Sequence, residues 1–123
     1  MSAGHEVVGL DADLFAGCDF GEPAPEIPEV RKDLRDLREA DLVGFDAVVH
    51  FAALSNDPLG DLDPTITYDI NHLGLVRLAE LAKKAGVRRS VFSSSCSTYG
   101  ATGDVLHDER AKLSPVTAYA ESK

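Results

Sequence analysis

The sequence predicts an α/β protein with a parallel, doubly wound sheet, and three observations support this fold class. Short apolar runs of strand character alternate with segments of helical periodicity along the chain. Residues 47–53 are almost continuously apolar, as in a strand of a parallel sheet whose two faces are both buried. The chain has 123 residues, of which 44% are hydrophobic, enough to form the core of one domain.

Four strands are predicted, and the first two are separated by a long irregular segment. The predicted strands are residues 6–11, 30–34, 47–53 and 91–95. Residues 12–28 contain too many glycines and prolines for a regular element and predict a loop. After the second strand, Asp36 and Glu39 have the spacing of a capping box, which predicts a short helix that ends at Gly44.

A long helix and a final helix complete the predicted order. Asp63 followed by Pro64 is typical of a helix start, and Gly86 after two lysines is typical of its end. The residues expected on the apolar face of this helix are Ile66, Ile70, Leu73, Leu78, Leu81 and Ala85. A last helix is predicted to begin near Pro115.

The composition excludes several classes of function. A formal net charge of −9, with no cluster of basic residues, argues against binding to a nucleic-acid backbone. The apolar runs fall short of the ~20 residues that span a bilayer, and the first residues do not have the pattern of a signal peptide. Cys18 and Cys96 are too few for a disulfide framework and wrongly spaced for zinc. We therefore expect a cytoplasmic protein with no nucleic-acid, membrane or metal partner.

Tyr119 and Lys123 are the pair of residues with the clearest chemical potential. They stand four residues apart in the last predicted helix, so their side chains share one face. A nearby cation favours the phenolate form of a tyrosine, which can then exchange a proton with a substrate hydroxyl or carbonyl. A serine at the end of the strand at 91–95 can hydrogen-bond the same substrate oxygen. Taken alone, the spacing more often marks an ordinary surface pair, so its weight depends on the surrounding motifs.

Those motifs form an ordered series. They are residues 4–11 (GHEVVGLD), 33–36 (DLRD), 50–53 (HFAA), Asn71, 92–100 (FSSSCSTYG) and 115–123 (PVTAYAESK). In this order they resemble the extended short-chain dehydrogenase/reductase family, the NAD-dependent sugar epimerases and dehydratases. The resemblance covers nearly the whole chain. It implies a Rossmann-type fold, NAD as cofactor, a nucleotide sugar as the substrate of the parent enzyme, and a parent that could be a homodimer.

The resemblance also implies roles in cofactor binding. Asp11 would accept hydrogen bonds from the adenosine ribose, and its charge would repel the 2′-phosphate of NADP. Asp33 and Leu34 would hold the adenine. Asn71 would support a wall of the site beneath the phosphates and the nicotinamide ribose. The residues of that wall would be Phe51, Ala52, Ala53, Leu54 and Ser55.

The catalytic residues implied by the resemblance are Ser95, Tyr119 and Lys123. Tyr119 would be the acid/base, and Lys123 would bind the nicotinamide ribose and favour the phenolate. Tyr119 would remove a proton as hydride passes from a sugar carbon to NAD, and an epimerase would return the hydride to the other face of the keto-sugar.

Two positions depart from the pattern of one branch of the family. Hexose 4,6-dehydratases carry Asp-Glu directly after the catalytic threonine, where this chain has Cys96 and Ser97. Neither would carry water elimination as that carboxyl pair does, so a dehydratase of this type is disfavoured. We interpret Cys96 as a packed small residue and His50 as a structural histidine at a strand end.

Two parts of the family pattern have no counterpart in the sequence: the first strand with its Gly-rich turn, and the C-terminal substrate domain. We therefore interpret residues 1–123 as a partial cofactor-binding domain, from the second strand to the start of the Tyr-x-x-x-Lys helix. The sheet is expected to lack its first, central strand and the isolated chain to be inactive. The alternative is a non-catalytic remnant with at most weak nucleotide binding or an interaction role.

Overall fold

The structure is a computed structural model that describes residues 3–18, 20–21, 26–55, 57–101, 103 and 106–123. The chain divides into two compact units, Met1–Leu37 and Arg38–Lys123, and each contains one parallel pair of strands. The strands are β1 (Gly9–Asp11) and β2 (Glu29–Arg31) in the first unit, and β3 (Ala47–His50) and β4 (Arg89–Phe92) in the second. The predicted α/β class with parallel strands is confirmed. That residues 1–123 make up one partial domain stays a prediction.

All four predicted strands are present, but β3 does not have two buried faces as predicted. Ala47 and Val49 on one face are exposed, whereas Val48 is half-buried and His50 is buried on the other. Among the described elements, only β4 packs extensively against β3, and no helix covers either of its faces to that extent. The apolar run therefore predicted the strand correctly, but the prediction that both of its faces are buried was wrong.

The long predicted helix is a continuous helical run with a π-helical segment in the middle. Its parts are α2 (Pro64–Thr67), the π segment (Tyr68–Leu73) and α3 (Gly74–Lys84). The predicted start is confirmed, because the Asp63 carboxylate accepts a hydrogen bond from the Thr65 N–H at 3.0 Å. The predicted end is confirmed too, because Gly86 follows α3 with φ +81°. Before this run lies α1 (Asp57–Leu62), which the sequence analysis did not predict.

The buried face of the helical run differs from the predicted apolar face. Ile66 and Leu73, expected in the core, are 46% and 56% exposed. The buried positions are Thr67, Asn71, Gly74, Leu78 and Ala82. These positions have the spacing of one helix face, but two of them are polar and Gly74 has no side chain, so a count of apolar spacing could not find this face.

The remaining short elements correct three further predictions. The helix expected from Asp36 is replaced by two 3₁₀ turns, and Asp33, not Asp36, caps the first of them. A third 3₁₀ turn follows β4, with Ser95 as its cap. The last helix, α4, begins after Thr117, beyond the predicted Pro115. The ranges are Leu34–Asp36, Glu39–Asp41 and Cys96–Tyr99 for the 3₁₀ turns and Ala118–Ser122 for α4. No helix in the described part of the chain is long and apolar enough to cross a membrane.

Gly100 ends the 3₁₀ turn at Cys96–Tyr99 in a conformation that only glycine adopts readily. Its φ and ψ are +77° and −165°, a region that is essentially confined to glycine. A Cβ atom there would lie 2.1 Å from the Ser114 carbonyl oxygen. The Ser114 N–H donates a hydrogen bond to the Thr98 carbonyl at 2.9 Å. Gly100 therefore allows residue 114 to pack directly against this turn.

We predict that Gly100→Ala lowers the free energy of unfolding by ~2 kcal/mol or more, from backbone strain of about 1–3 kcal/mol and the contact with Ser114. The control is Gly44→Ala, because Gly44 also has a positive φ of +90° but no atom within 4 Å of the added Cβ. It should cost about 1 kcal/mol. Urea denaturation followed by circular dichroism measures both. Equal losses would show that the close approach of Ser114 has no energetic weight.

Candidate functional site

The centre of the candidate site is the side chain of Asn71 in the π segment. Only 1% of this residue is exposed. Its Oδ1 accepts a hydrogen bond from the Leu54 N–H at 2.8 Å, and its Nδ2 donates to the Leu54 carbonyl at 3.1 Å. A buried amide needs such partners. The two bonds fix the backbone of the segment after β3, which the sequence analysis predicted as a wall of the cofactor site.

Asn71 also contacts the helix that carries Tyr119 and Lys123. Its Nδ2 donates a second hydrogen bond, 3.0 Å long, to the Ser122 hydroxyl, which is itself buried and donates to the Tyr119 carbonyl at 2.8 Å. Helix α4 further packs against α1, α2, the π segment and the 3₁₀ turn at Cys96–Tyr99. One side chain thus connects the wall after β3 to the helix of the predicted acid/base. Sequence reasoning missed Ser122, whose sole signal was its place beside Lys123.

Ser95 is held at the start of the 3₁₀ turn after β4. Its Oγ accepts a hydrogen bond from the Ser97 N–H at 3.2 Å and lies 3.2 Å from the Ser97 Oγ. The Ser95 carbonyl accepts a bond from the Thr98 hydroxyl at 2.8 Å. Because this turn packs against α4, the structure brings the element of Ser95 to the helix of Tyr119.

Tyr119 and Lys123 are both half-buried. The Thr117 hydroxyl caps their helix by accepting a hydrogen bond from the Ala120 N–H at 3.1 Å. The Lys123 Nζ lies 4.8 Å from the centre of the Phe92 ring, within the range of a cation–π contact. Sequence reasoning gave no role to Phe92, because nothing in the sequence indicates which ring meets the lysine.

His50 is a buried residue that packs against Phe92. It is 6% exposed, and its ring stacks on Phe92 with 5.8 Å between ring centres and 20° between planes. Burial lowers the pKa of His50, and the charge of Lys123 lowers it further. The imidazole is therefore neutral at neutral pH, which agrees with the structural role expected for it.

The wall after β3 presents small and exposed groups. Phe51 and Ala52 are exposed, Ala53 and Leu54 are half-buried, and Ser55 is exposed. Tied to Asn71 at Leu54, this segment can take a ligand closely along Ala52 and Ala53, since neither methyl group extends far from the backbone. Its role as the wall of a cofactor site stays a prediction.

Cys96 requires a correction. The sequence analysis interpreted it as a packed small residue, but its side chain is exposed and its thiol is free. The reason is the 3₁₀ turn, in which Thr98 is the buried residue. The turn therefore presents Cys96 directly beside Ser95.

Asp11 and Asp33, the predicted adenosine contacts, lie in the first unit. Asp11 ends β1, and its Oδ1 accepts a hydrogen bond from the Asp13 N–H at 2.7 Å. Asp13 turns back with φ +57° and pairs with Arg31 at 3.3 Å. These contacts orient the Asp11 carboxylate and leave its side chain exposed, as a group that binds a ribose must be.

Asp33 is held by Arg35, a partner that sequence reasoning missed. The Arg35 Nε and Nη2 donate to the two carboxylate oxygens at 3.0 and 2.8 Å, and its backbone N–H donates at 2.8 Å. The side-chain bonds are the main reason why the pKa of Asp33 falls from 3.8 to about 2. Asp33 therefore stays ionised. Leu34 beside it is buried, so its side chain is not a free surface for adenine in this structure.

Comparison with known proteins agrees with this arrangement. The sequence model of the NAD dependent epimerase/dehydratase family matches residues 1–123. The chain belongs to this family of NAD-dependent enzymes. It is 38% identical to the UDP-glucose 4-epimerase of Streptomyces lividans, in an alignment that covers 100% of this chain and 38% of that protein. The chain thus spans well under half the length of this relative.

Solved structures in the family share the fold. A UDP-glucose 4-epimerase from Stenotrophomonas maltophila, solved with bound NAD and formylated UDP-arabinopyranose, superposes with a TM-score of 0.84 and 29% identity, over 99% of this chain and 39% of that one. A dTDP-glucose 4,6-dehydratase from Streptomyces venezuelae, solved with NAD, gives 0.83 and 31%, over 96% of this chain and 38% of that one. These neighbours confirm the predicted Rossmann-type fold.

We predict that Asn71→Ala lowers the free energy of unfolding by roughly 2–4 kcal/mol, since each buried polar group left unpaired costs about 1–3 kcal/mol. Asn71→Asp should not restore stability, because a carboxylate cannot donate to the Leu54 carbonyl or to Ser122. The control is His72→Ala, on the exposed side of the same segment, with an expected change within about 0.5 kcal/mol. Urea denaturation measures all three. A loss for Asn71→Ala no larger than the control would contradict the role assigned to its amide.

Proposed function

We propose that this chain forms the cofactor wall and catalytic group of a nucleotide-sugar epimerase. The observation that carries the proposal is the set of three hydrogen bonds of Asn71, which joins the wall at Leu54 to the helix of Tyr119 and Lys123. The Ser95 turn packs on the same helix. Membership of the family and the identity to UDP-glucose 4-epimerases support the choice of substrate class.

The chain's own residues suit NAD. Asp11 is exposed at the end of β1 with its carboxylate oriented for ribose hydroxyls, and the wall at residues 51–55 presents small groups. Lys123 would donate to the hydroxyls of the nicotinamide ribose. NAD, when bound, supplies the acceptor for the hydride of the sugar. Homodimer formation and a cytoplasmic location, both expected from the sequence, stay predictions.

Tyr119 would be the residue that transfers the proton. As a phenolate it would take the proton of the sugar hydroxyl while the hydride leaves the same carbon, and it would return that proton when the hydride comes back. Ser95 would hold the oxygen of the sugar by a hydrogen bond from its hydroxyl, for which its present contact with the Ser97 hydroxyl would have to yield.

Residues 96 and 97 favour an epimerase over a 4,6-dehydratase. Elimination of water needs an acid and a base close to the sugar, and the two positions after Ser95 carry the Cys96 thiol and the Ser97 hydroxyl instead of a carboxyl pair. The Ser97 hydroxyl is in contact with Ser95. Return of the hydride to the opposite face needs no further acid or base beyond Tyr119, so the groups present suffice for epimerisation.

The first test concerns the choice of cofactor. A chimera in which these 123 residues replace the matching segment of the Streptomyces lividans epimerase supplies the rest of an enzyme. We predict that it binds NAD at least ~10-fold more tightly than NADP, a difference of ~1.4 kcal/mol, because Asp11 repels the 2′-phosphate. Asp11→Asn should reduce the preference. Fluorescence titration with both cofactors measures it, and equal affinities in the unsubstituted chimera would refute the role of Asp11.

The second test concerns Tyr119. In the same chimera Tyr119→Phe should lower the rate of UDP-glucose epimerisation at least 100-fold, the lower end of the ~100- to 10,000-fold contributed by general acid–base groups, and should leave NAD affinity nearly unchanged. Tyr68→Phe is the matched control, because the Tyr68 hydroxyl makes an exposed hydrogen bond to Glu121 on the helix that carries Tyr119. Near-normal turnover of Tyr119→Phe would exclude the mechanism.

A further inference from the structure

The contact between Lys123 and Phe92 is unusual for a cation in so acidic a chain. The sequence has 21 acidic residues, yet in the described part of the chain no carboxylate forms a salt bridge with Lys123. The nearest acid along α4, Glu121, accepts a hydrogen bond from Tyr68 instead. The Lys123 Nζ lies over the Phe92 ring.

An aromatic ring holds an ammonium in a different way from a carboxylate. The ring attracts the positive charge through its quadrupole and neutralises none of it. The N–H groups that point away from the ring stay free to donate. A carboxylate would occupy those donors and neutralise the charge.

The ring is itself fixed from two directions. Phe92 ends β4, paired with His50 at the end of β3 in the register of the sheet, and the two rings stack. His50 is buried and neutral, so it supports Phe92 without adding a second cation beside Lys123. The position of the ring therefore follows from the parallel pair of strands.

We propose that Phe92, supported by His50, is the positioning residue that holds the Lys123 ammonium over its ring, with the charge and the outward N–H donors kept free for Tyr119 and for the nicotinamide ribose. This role rests on the proposed function, and it adds a residue to the catalytic group without giving that residue any contact with substrate. It also explains why β3 and β4 must end at the same level, since the pairing sets the ring beneath the lysine.

The first experiment measures the contact itself in the 123-residue chain, by nuclear magnetic resonance of the Lys123 ε-methylene group. A ring beneath these protons shifts their resonances upfield. Phe92→Leu should remove the upfield shift and Phe92→Tyr, which keeps the ring, should retain it. Phe45→Leu removes a ring elsewhere in the same unit, one that is 39% exposed, and should change nothing. Resonances of Lys123 that are the same in Phe92→Leu as in the unsubstituted chain would overturn the proposal, whatever the activity of the parent enzyme.

The second experiment measures the consequence in the chimera described above. Phe92→Leu should weaken NAD binding about two- to fivefold, as expected for the loss of a cation–π contact at a partly exposed site. Phe92→Tyr, which keeps the ring, should restore the affinity. If Phe92→Leu instead binds NAD as tightly as Phe45→Leu does, Phe92 only fills space and the proposal is wrong. A chimera that binds no NAD would refute the proposed function alone and leave the decision on Phe92 to the resonance experiment.

Discussion

The buried amide of Asn71 is the constraint on which the rest of the second unit depends. It lies within a helical run, where a side chain that bonds to non-helical backbone must find that backbone directly beside the helix. Its three hydrogen bonds bring two separate stretches of the chain to that place, one at Leu54 and one at Ser122. An apolar side chain at position 71 would tolerate many relative positions of these two stretches. The Asn71 amide can bond both of them in only one arrangement.

The π segment is part of the same constraint. Thr67, Asn71, Gly74 and Leu78 have the spacing of one helix face and are all buried, whereas Ile66 and Leu73 are 46% and 56% exposed. Segments of this kind often occur at functional sites, and this one contains the residue whose amide bonds both Leu54 and Ser122.

The sequence predicted correctly the features of the fold that residues close together in the chain determine. The caps of the long helix at Asp63 and Gly86 and the four strands depend on residues close together in the chain, and the structure shows them all. The parallel direction of the strands was predicted from their alternation with helices, and the structure shows it too. The exposure of Cys96, the single buried face of β3 and the partners Ser122 and Arg35 depend on how many layers cover an element or which group faces it. Apolar spacing carries no such information. The ordered motifs correctly indicated the family, because together they include residues from every part of the predicted site.

In the proposed function, opposite charges would recognise the two ends of NAD, and the structure orients each charge by a different means. The Asp11 carboxylate accepts a hydrogen bond from a backbone N–H, and the Asp33 carboxylate accepts hydrogen bonds from the Arg35 guanidinium, which lower the pKa of Asp33 to about 2. On the nicotinamide side, Lys123 would need free N–H groups to donate to the ribose, and a carboxylate partner would occupy them. An aromatic partner fixes the position of the ammonium and leaves its charge and its outward donors available. Since Phe92 is in turn placed by the pairing of β3 with β4, the strands that sequence periodicity predicts most simply also determine where the Lys123 ammonium lies.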